Sequence, residues 1–84
     1  MLYYLIMCRL LTHAQRTAKV LEQARIATRI LRAPQELSAD GCGYCVKISS
    51  QIEYAVSLLG RKGLEPKKIY RQEYGGEYEE VVLS

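Results

Sequence analysis

The sequence has 84 residues, of which 49% are hydrophobic and 25% charged, and its formal net charge is +3. This balance excludes a disordered chain and predicts a single small domain over residues 1–84 with a modest core. The apolar start, Met1 to Leu11, is too short to span a bilayer and lacks a signal-peptide cleavage site, and no basic run resembles a nucleic-acid-binding arm. We therefore expect a cytoplasmic protein that has neither nucleic acid nor a membrane as a partner.

The first half of the chain predicts a strand, a helix and a second strand. The run from Leu2 to Cys8 is continuously apolar, as in a strand at the centre of a sheet. Thr12 to Gln15 matches a capping box, with Thr12 as the N-cap of an amphipathic helix. Residues Ile26 to Arg32 alternate as in a strand, which Pro34 ends because proline cannot donate to a sheet.

The second half begins with another strand and helix. After a polar, turn-rich loop, the residues from Tyr44 to Ile48 predict a third strand. Ser50 to Glu53 forms a second capping-box pattern, and an apolar stripe follows at helical spacing. Either Gly60 or Gly63 is expected to close this helix, because glycine readily adopts the left-handed conformation found at helix ends.

The C-terminal part predicts a hairpin. Lys67 to Tyr74 reads as a fourth strand, Gly75-Gly76 as its turn, and Tyr78 to Leu83 as a returning fifth strand, or else as an edge that pairs in a homodimer. The element order predicts an α+β fold. It is a ferredoxin-like β-α-β-β-α-β sandwich, an antiparallel sheet with two helices on one face and an extra C-terminal strand. The expected strand order is fourth, first, third, second.

This topology brings candidate functional residues to one end of the sheet. The loop after the first strand and the loop before the third strand lie at the same end. Cys8, Thr12 and His13 should therefore lie near Cys42 and Cys45. Cys42 and Cys45 have the Cys-x-x-Cys spacing of a dithiol pair or of half a zinc site. With Cys8 and His13 they make a Cys3His set, but one such motif is weak support for a metal, so we expect neither a metal nor a cofactor.

A single nucleophilic thiol is the better-supported chemistry. Cys42 lies in a polar loop between Gly41 and Gly43, which leave the thiol uncrowded. A helix start and cationic groups nearby would favour the thiolate, and His13 could act as a base or an ion-pair partner. Cys8 and Cys45 are expected to be core residues, since free cysteine is often buried. Thr12, His13 and Ser38 are expected to form the supporting pocket of Cys42.

The chain resembles a family of small bacterial proteins described as selenium/sulfur carrier protein-like. The resemblance rests on short motifs spread over most of the chain: an apolar first strand, Thr12-His13-x-Ala, Leu21-Glu22, Pro34-x-x-Leu37-Ser38, Cys42-Gly43, and a second helix ending near Gly63. It implies that a cysteine carries sulfur or selenium as a persulfide or selenide, and Cys42 is the position that matches.

Three hypotheses of function follow. The first is a sulfur or selenium carrier, rather than a true enzyme, that passes the atom on Cys42 from a donor protein to an acceptor protein, with Cys45 as a resolving thiol. The second is a non-enzymatic, dimeric interaction module that uses the acidic, Tyr-rich stretch from Glu73 to Leu83. The third is a thiol–disulfide redox protein that uses Cys42 and Cys45.

Overall fold

The computed structural model describes residues 2–38 and 41–82. Its elements follow the predicted order, with one short 3₁₀ turn added between the second and third strands. They are β1 (Leu2–Cys8), α1 (Leu11–Gln23), β2 (Arg29–Arg32), the 3₁₀ turn (Gln35–Leu37), β3 (Tyr44–Ile48), α2 (Ile52–Arg61), β4 (Ile69–Glu73) and β5 (Tyr78–Glu80).

The five strands form one antiparallel sheet in the order β2-β3-β1-β4-β5. This confirms both the ferredoxin-like arrangement and the additional strand, which lies beside β4. The central strand β1 pairs with β3 on one side and β4 on the other, so its continuous apolar run is used on both faces. None of the helices in the described ranges is long and apolar enough to cross a membrane.

The two faces of the sheet carry separate apolar clusters. Ile6, Cys8 and Val46 point to the helix face, where they pack against buried residues of α1 and α2 such as Leu21 and Leu59. The opposite face carries a smaller group, which we call the outer cluster, formed by Leu5, Met7 and Cys45. Alternation along β1 and β3 explains this division, because successive side chains point to opposite faces.

Residues 33–38, which we call the strap, fold back across this second face. The strap begins where the Ala33 N–H donates to the Gly43 carbonyl at 3.0 Å, and Leu37 packs against the outer cluster. Its 3₁₀ turn faces the β4–β5 hairpin. An open cavity of about 500 Å³ lies between the two and is lined in part by Leu37 and Tyr78. The polar loop predicted between β2 and β3 is therefore also the cover of the outer cluster.

Both predicted capping boxes are wrong. Helix α1 begins at Leu11 with Leu10 as its N-cap, and the Ala14 N–H donates to the Leu10 carbonyl, so Thr12 already lies in the first turn. Helix α2 begins at Ile52 after Gln51, which has φ 59° and no side-chain capping bond. Short connections to the preceding strands set where each helix starts, and this overrode the capping preference of the side chains.

Both helices end in the same hydrogen-bonded motif. The residue after the C-cap has positive φ, 64° at Arg25 and 74° at Gly63, and the next residue donates back into the last turn, Ile26 at 2.9 Å and Leu64 at 2.8 Å. This is the Schellman arrangement. It confirms Gly63 as the stop of α2. It also explains why β2 begins at Arg29 rather than at Ile26, which is buried in the helix-face core instead.

The last two strands are shorter than predicted. Strand β4 spans Ile69–Glu73 and β5 spans Tyr78–Glu80. The predicted end of the fifth strand at Leu83 lies outside the described residues.

Candidate functional site

All three cysteines lie at the same end of the sheet, and all are free thiols. Cys8 is the last residue of β1 and is paired with Tyr44, while its neighbour Met7 is paired with Cys45 on β3. Cys42 follows the strap and precedes β3 by two residues. The convergence expected from the ferredoxin-like topology is therefore present for the thiols, but their surroundings differ.

Cys8 is enclosed in the helix-face core. It is only 1% exposed, and its thiol donates to the Ile6 carbonyl at 3.7 Å. Burial raises the pKa of Cys8 to about 11, the nearby Thr17 hydroxyl lowers it to a smaller extent, and the charge of Cys42 raises it further. The Thr17 hydroxyl oxygen is itself buried and, within residues 2–38 and 41–82, has no hydrogen-bond partner of ordinary geometry. Cys8 is thus a core thiol with a polar neighbour.

Cys45 is enclosed on the opposite face. It is 0% exposed and belongs to the outer cluster under the strap. Burial raises the pKa of Cys45 to about 11, and the charge of Cys8 adds to that rise. A thiol of this kind is a poor nucleophile near neutral pH, because the thiolate is the reactive form.

Cys42 is the least enclosed of the three, being half-buried at the end of the loop. It packs at the edge of the outer cluster, on the face away from the helices, although we expected it to face the start of α1. The adjacent Gly41 has φ 81°, a left-handed conformation that favours glycine, and its N–H donates to the Ser38 carbonyl at 3.1 Å. The Ser38 hydroxyl donates to the Gln35 carbonyl at 2.9 Å, so this side chain stabilises the strap's own turn.

The start of α1 meets the cysteine loop through the backbone. A Cβ atom on Gly43 would lie 3.6 Å from the Arg9 carbonyl oxygen, an ordinary contact, so the two loops adjoin without a steric demand for glycine. Thr12 is exposed and His13 half-buried in the first turn of α1. In the part of the chain that the structure describes, neither side chain forms a hydrogen bond or ion pair with Cys42. The supporting pocket of Thr12, His13 and Ser38 around the thiol therefore stays a prediction.

The cationic surroundings of this end include a stacked arginine. The Arg32 guanidinium lies 5.8 Å from the centre of the Tyr44 ring, and Tyr44 is the strand partner of Cys8. Arg9 lies on the loop after β1 and Arg16 lies on α1, and both side chains are exposed. Among the described residues, no three His, Cys, Asp or Glu side chains are grouped so that they could hold a metal ion.

Sequence reasoning missed the role of the strap. The signal was Leu37, an apolar residue in a polar loop, but the pattern alone did not show which face of the sheet it would cover.

The fold and site define a small ferredoxin-like α+β protein with one half-exposed thiol beside two buried ones. The family model described as "Putative Se/S carrier protein-like" matches residues 3–71, a range that runs from β1 into β4. The chain belongs to this family. No curated protein and no solved structure matches the chain.

Proposed function

We propose that the protein is a sulfur or selenium carrier and that Cys42 is the residue that holds the atom. The observation that carries the proposal is the contrast between the three thiols. Cys42 is half-buried at the end of a loop, whereas the Cys8 and Cys45 side chains are fully buried and have pKa values of about 11. Membership of the Se/S carrier-like family supports the same chemistry.

The transfer is a thiol exchange in which no electrons are gained or lost overall. The Cys42 thiolate attacks the outer sulfur of a persulfide on the donor protein, so a new S–S bond forms on Cys42 and the donor leaves as a thiolate. An acceptor thiolate then attacks the outer sulfur of the Cys42 persulfide, which takes the atom and returns Cys42 to its thiolate form. Selenium would follow the same path as a selenide on the cysteine sulfur.

The residues around Cys42 support this chemistry in different ways. Gly41 and Ser38 hold the end of the loop in its turn, and Gly43 adjoins the Arg9 backbone in the loop before α1. We assign Thr12 and His13 to the rim, where His13 could take up or return the proton of the thiol as it exchanges. Arg9 and Arg32 favour the anionic forms of the bound atom.

Cys45 is the candidate for a second step that releases the atom. Its thiolate would attack the inner sulfur of the Cys42 persulfide, forming a Cys42–Cys45 disulfide and expelling hydrosulfide. With a pKa of about 11, roughly one Cys45 in ten thousand is ionised at pH 7 while it stays enclosed. Release by this route is therefore slow in the closed structure, and direct transfer to an acceptor protein is favoured.

The donor and the acceptor are expected to be proteins of a reducing compartment. Three cysteines without a disulfide among them fit the cytoplasm better than an oxidising environment. In this role the protein is a carrier whose turnover depends on its two partners.

The test is to load the protein with a small-molecule sulfane donor, such as inorganic polysulfide, and to measure its intact mass. We expect the mass of added sulfur in the wild-type protein, and peptide mapping should locate it on Cys42. Cys42→Ser should lose the fast loading, while the matched variants Cys8→Ser and Cys45→Ser should keep it. Loading of folded Cys42→Ser at the wild-type rate would refute the proposal.

A further inference from the structure

The two faces of the sheet are covered in different ways. On the helix face, Cys8 lies under α1 and α2, which both contribute fully buried side chains to the core. On the other face, the outer cluster has no helix above it. Apart from residues of the sheet itself, the described residues that pack on it are Ala33, Leu37 and Cys42, which belong to the strap and the loop that follows it. The strap is therefore the part of the cover over Cys45 that does not belong to the sheet, and it packs there beside strand side chains such as Tyr3 and Tyr78.

The strap is held mainly by bonds within itself and at its ends. Ala33 is fixed to Gly43 by a backbone bond, and the 3₁₀ turn is closed by the Leu37 N–H donating to the Pro34 carbonyl at 2.9 Å. Within residues 2–38 and 41–82, no hydrogen bond joins residues 34–38 to β1, β4 or β5. Leu37 is the apolar side chain by which the middle of the strap packs on the sheet.

The strap is also poorly packed on its far side. The open cavity of about 500 Å³ separates Glu36 and Leu37 from the hairpin residues Gln72, Gly76 and Tyr78. Because this cavity is open to solvent, the residues on its two sides make few contacts across it, and little dispersion energy holds them together. Segments with few buried contacts open locally at a lower free energy than the whole fold.

We propose that the strap lifts from the outer cluster as a unit while the sheet and both helices stay folded, and that the lifted state exposes the thiol of Cys45. The protein would then have a gated second thiol site three residues along the chain from Cys42. If the carrier function holds, strap opening is what allows Cys45 to resolve the atom on Cys42. Access to Cys45 itself does not depend on that function.

Cys8 provides an internal control for the test. Both thiols are buried and have pKa values of about 11, but one lies under helices and the other under the strap. In a Cys42→Ser background, alkylation at each position is followed by peptide mass spectrometry in 0 to low molar urea. We expect Cys45 to react at least about tenfold faster than Cys8, with a rate that changes little with urea, because local opening exposes little surface. Equal rates with the same urea dependence would show that only global unfolding exposes Cys45, and would overturn the proposal.

A pair of variants separates strap opening from general destabilisation. Leu37→Ala removes the strap's apolar contact, which is lost both when the strap opens and when the whole protein unfolds, and should therefore raise the alkylation rates of Cys45 and Cys8 alike, each about tenfold. Leu58→Ala, which truncates a half-buried leucine against the helix-face core, should raise the Cys8 rate and leave the Cys45 rate nearly unchanged, because the strap-open state keeps that core folded. A Leu58→Ala variant in which both rates rise equally would also overturn the proposal, because Cys45 would then be exposed only by global unfolding. Polysulfide loading of the wild-type protein is a separate readout, so a failure of the carrier function would be recognised independently.

Discussion

The buried thiols should make the protein unstable in mild alkali. The pKa values of Cys8 and Cys45 are raised from the ordinary value of 9.0 to about 11 by burial. The folded state therefore binds these protons more tightly than the unfolded state does. The resulting stability is complete below pH 9 and is lost as the pH rises through 11.

The size of the effect follows from the two pKa values. For one thiol, the loss of unfolding free energy at pH 10 is about 1.4 kcal/mol, and it approaches about 2.7 kcal/mol well above pH 11. The two contributions should add to less than twice this figure, because part of the rise in the pKa of Cys45 comes from the charge of Cys8. Even one contribution is large against the stability typical of a domain of this size.

Urea unfolding followed by circular dichroism, at pH 7 to 10 under reducing conditions, measures this loss. Lysine and tyrosine side chains also titrate in this range, so the comparison is between wild type and Cys45→Ala. The variant should be less stable at pH 7, and the gap should narrow by about 1.4 kcal/mol at pH 10 because the variant has no thiol to ionise at that position. Cys8→Ala should behave in the same way. A gap that stays constant with pH would refute the assignment of a raised pKa to Cys45.

Three further changes test the fold. Arg25→Gly should raise the unfolding free energy by about 1 kcal/mol, and Gly63→Ala should lower it by a similar amount. Both positions have positive φ in the same helix-ending motif, a conformation that favours glycine. Opposite shifts of roughly 4–8 °C in Tm would show this. Thr17→Val removes a buried hydroxyl that, among the described residues, has no hydrogen-bond partner of ordinary geometry, and should stabilise the protein by up to about 1 kcal/mol in urea unfolding, while a loss of stability would mean that its contact with the Cys8 thiol is a stabilising hydrogen bond. Leu10→Ser replaces a 65% exposed N-cap leucine and should add about 1 kcal/mol, which an unchanged urea midpoint would contradict.

The sequence predicted those parts of the fold that follow from apolar periodicity. Strands β1 and β3 have the predicted bounds, Leu2–Cys8 and Tyr44–Ile48, because buried runs with polar or turn residues on both sides have only one good placement. The strand order followed from the element order, since right-handed crossovers leave few alternatives.

Local side-chain patterns were weaker guides. Thr12 and Ser50 have the composition of N-caps, yet Leu10 and Gln51 occupy those positions. A capping bond contributes only about 1 kcal/mol, so the geometry of a short strand–helix connection can override it. Arg25 shows the same rule at a helix end, where a residue other than glycine adopts positive φ because the backbone bonds and the burial of Ile26 require it.

The candidate site was predictable as a location but not as an environment. That Cys42 and Cys45 would meet the end of β1 follows from topology. That they would share the outer face depends on how the strap folds back, which is a tertiary effect with Leu37 as its single sequence signal. The two cysteines of the Cys-x-x-Cys motif therefore have different environments. Cys45 lies neither on the surface nor in the helix-face core, but in the outer cluster under the strap. Cys42 lies in the loop that follows the strap.

This arrangement reconciles a reactive thiol with a small core. A carrier thiol must be accessible to two partner proteins, whereas a second thiol that was always exposed beside it would discharge the bound atom as soon as it was loaded. In the proposed carrier mechanism, enclosing Cys45 under the strap, with a pKa of about 11, would suppress that reaction while keeping the thiol three residues from Cys42. Cys42 itself packs at the edge of the outer cluster. A partner that binds at Cys42 would therefore also contact the loop that follows the strap. Partner binding and access to Cys45 would then be coupled through a single segment.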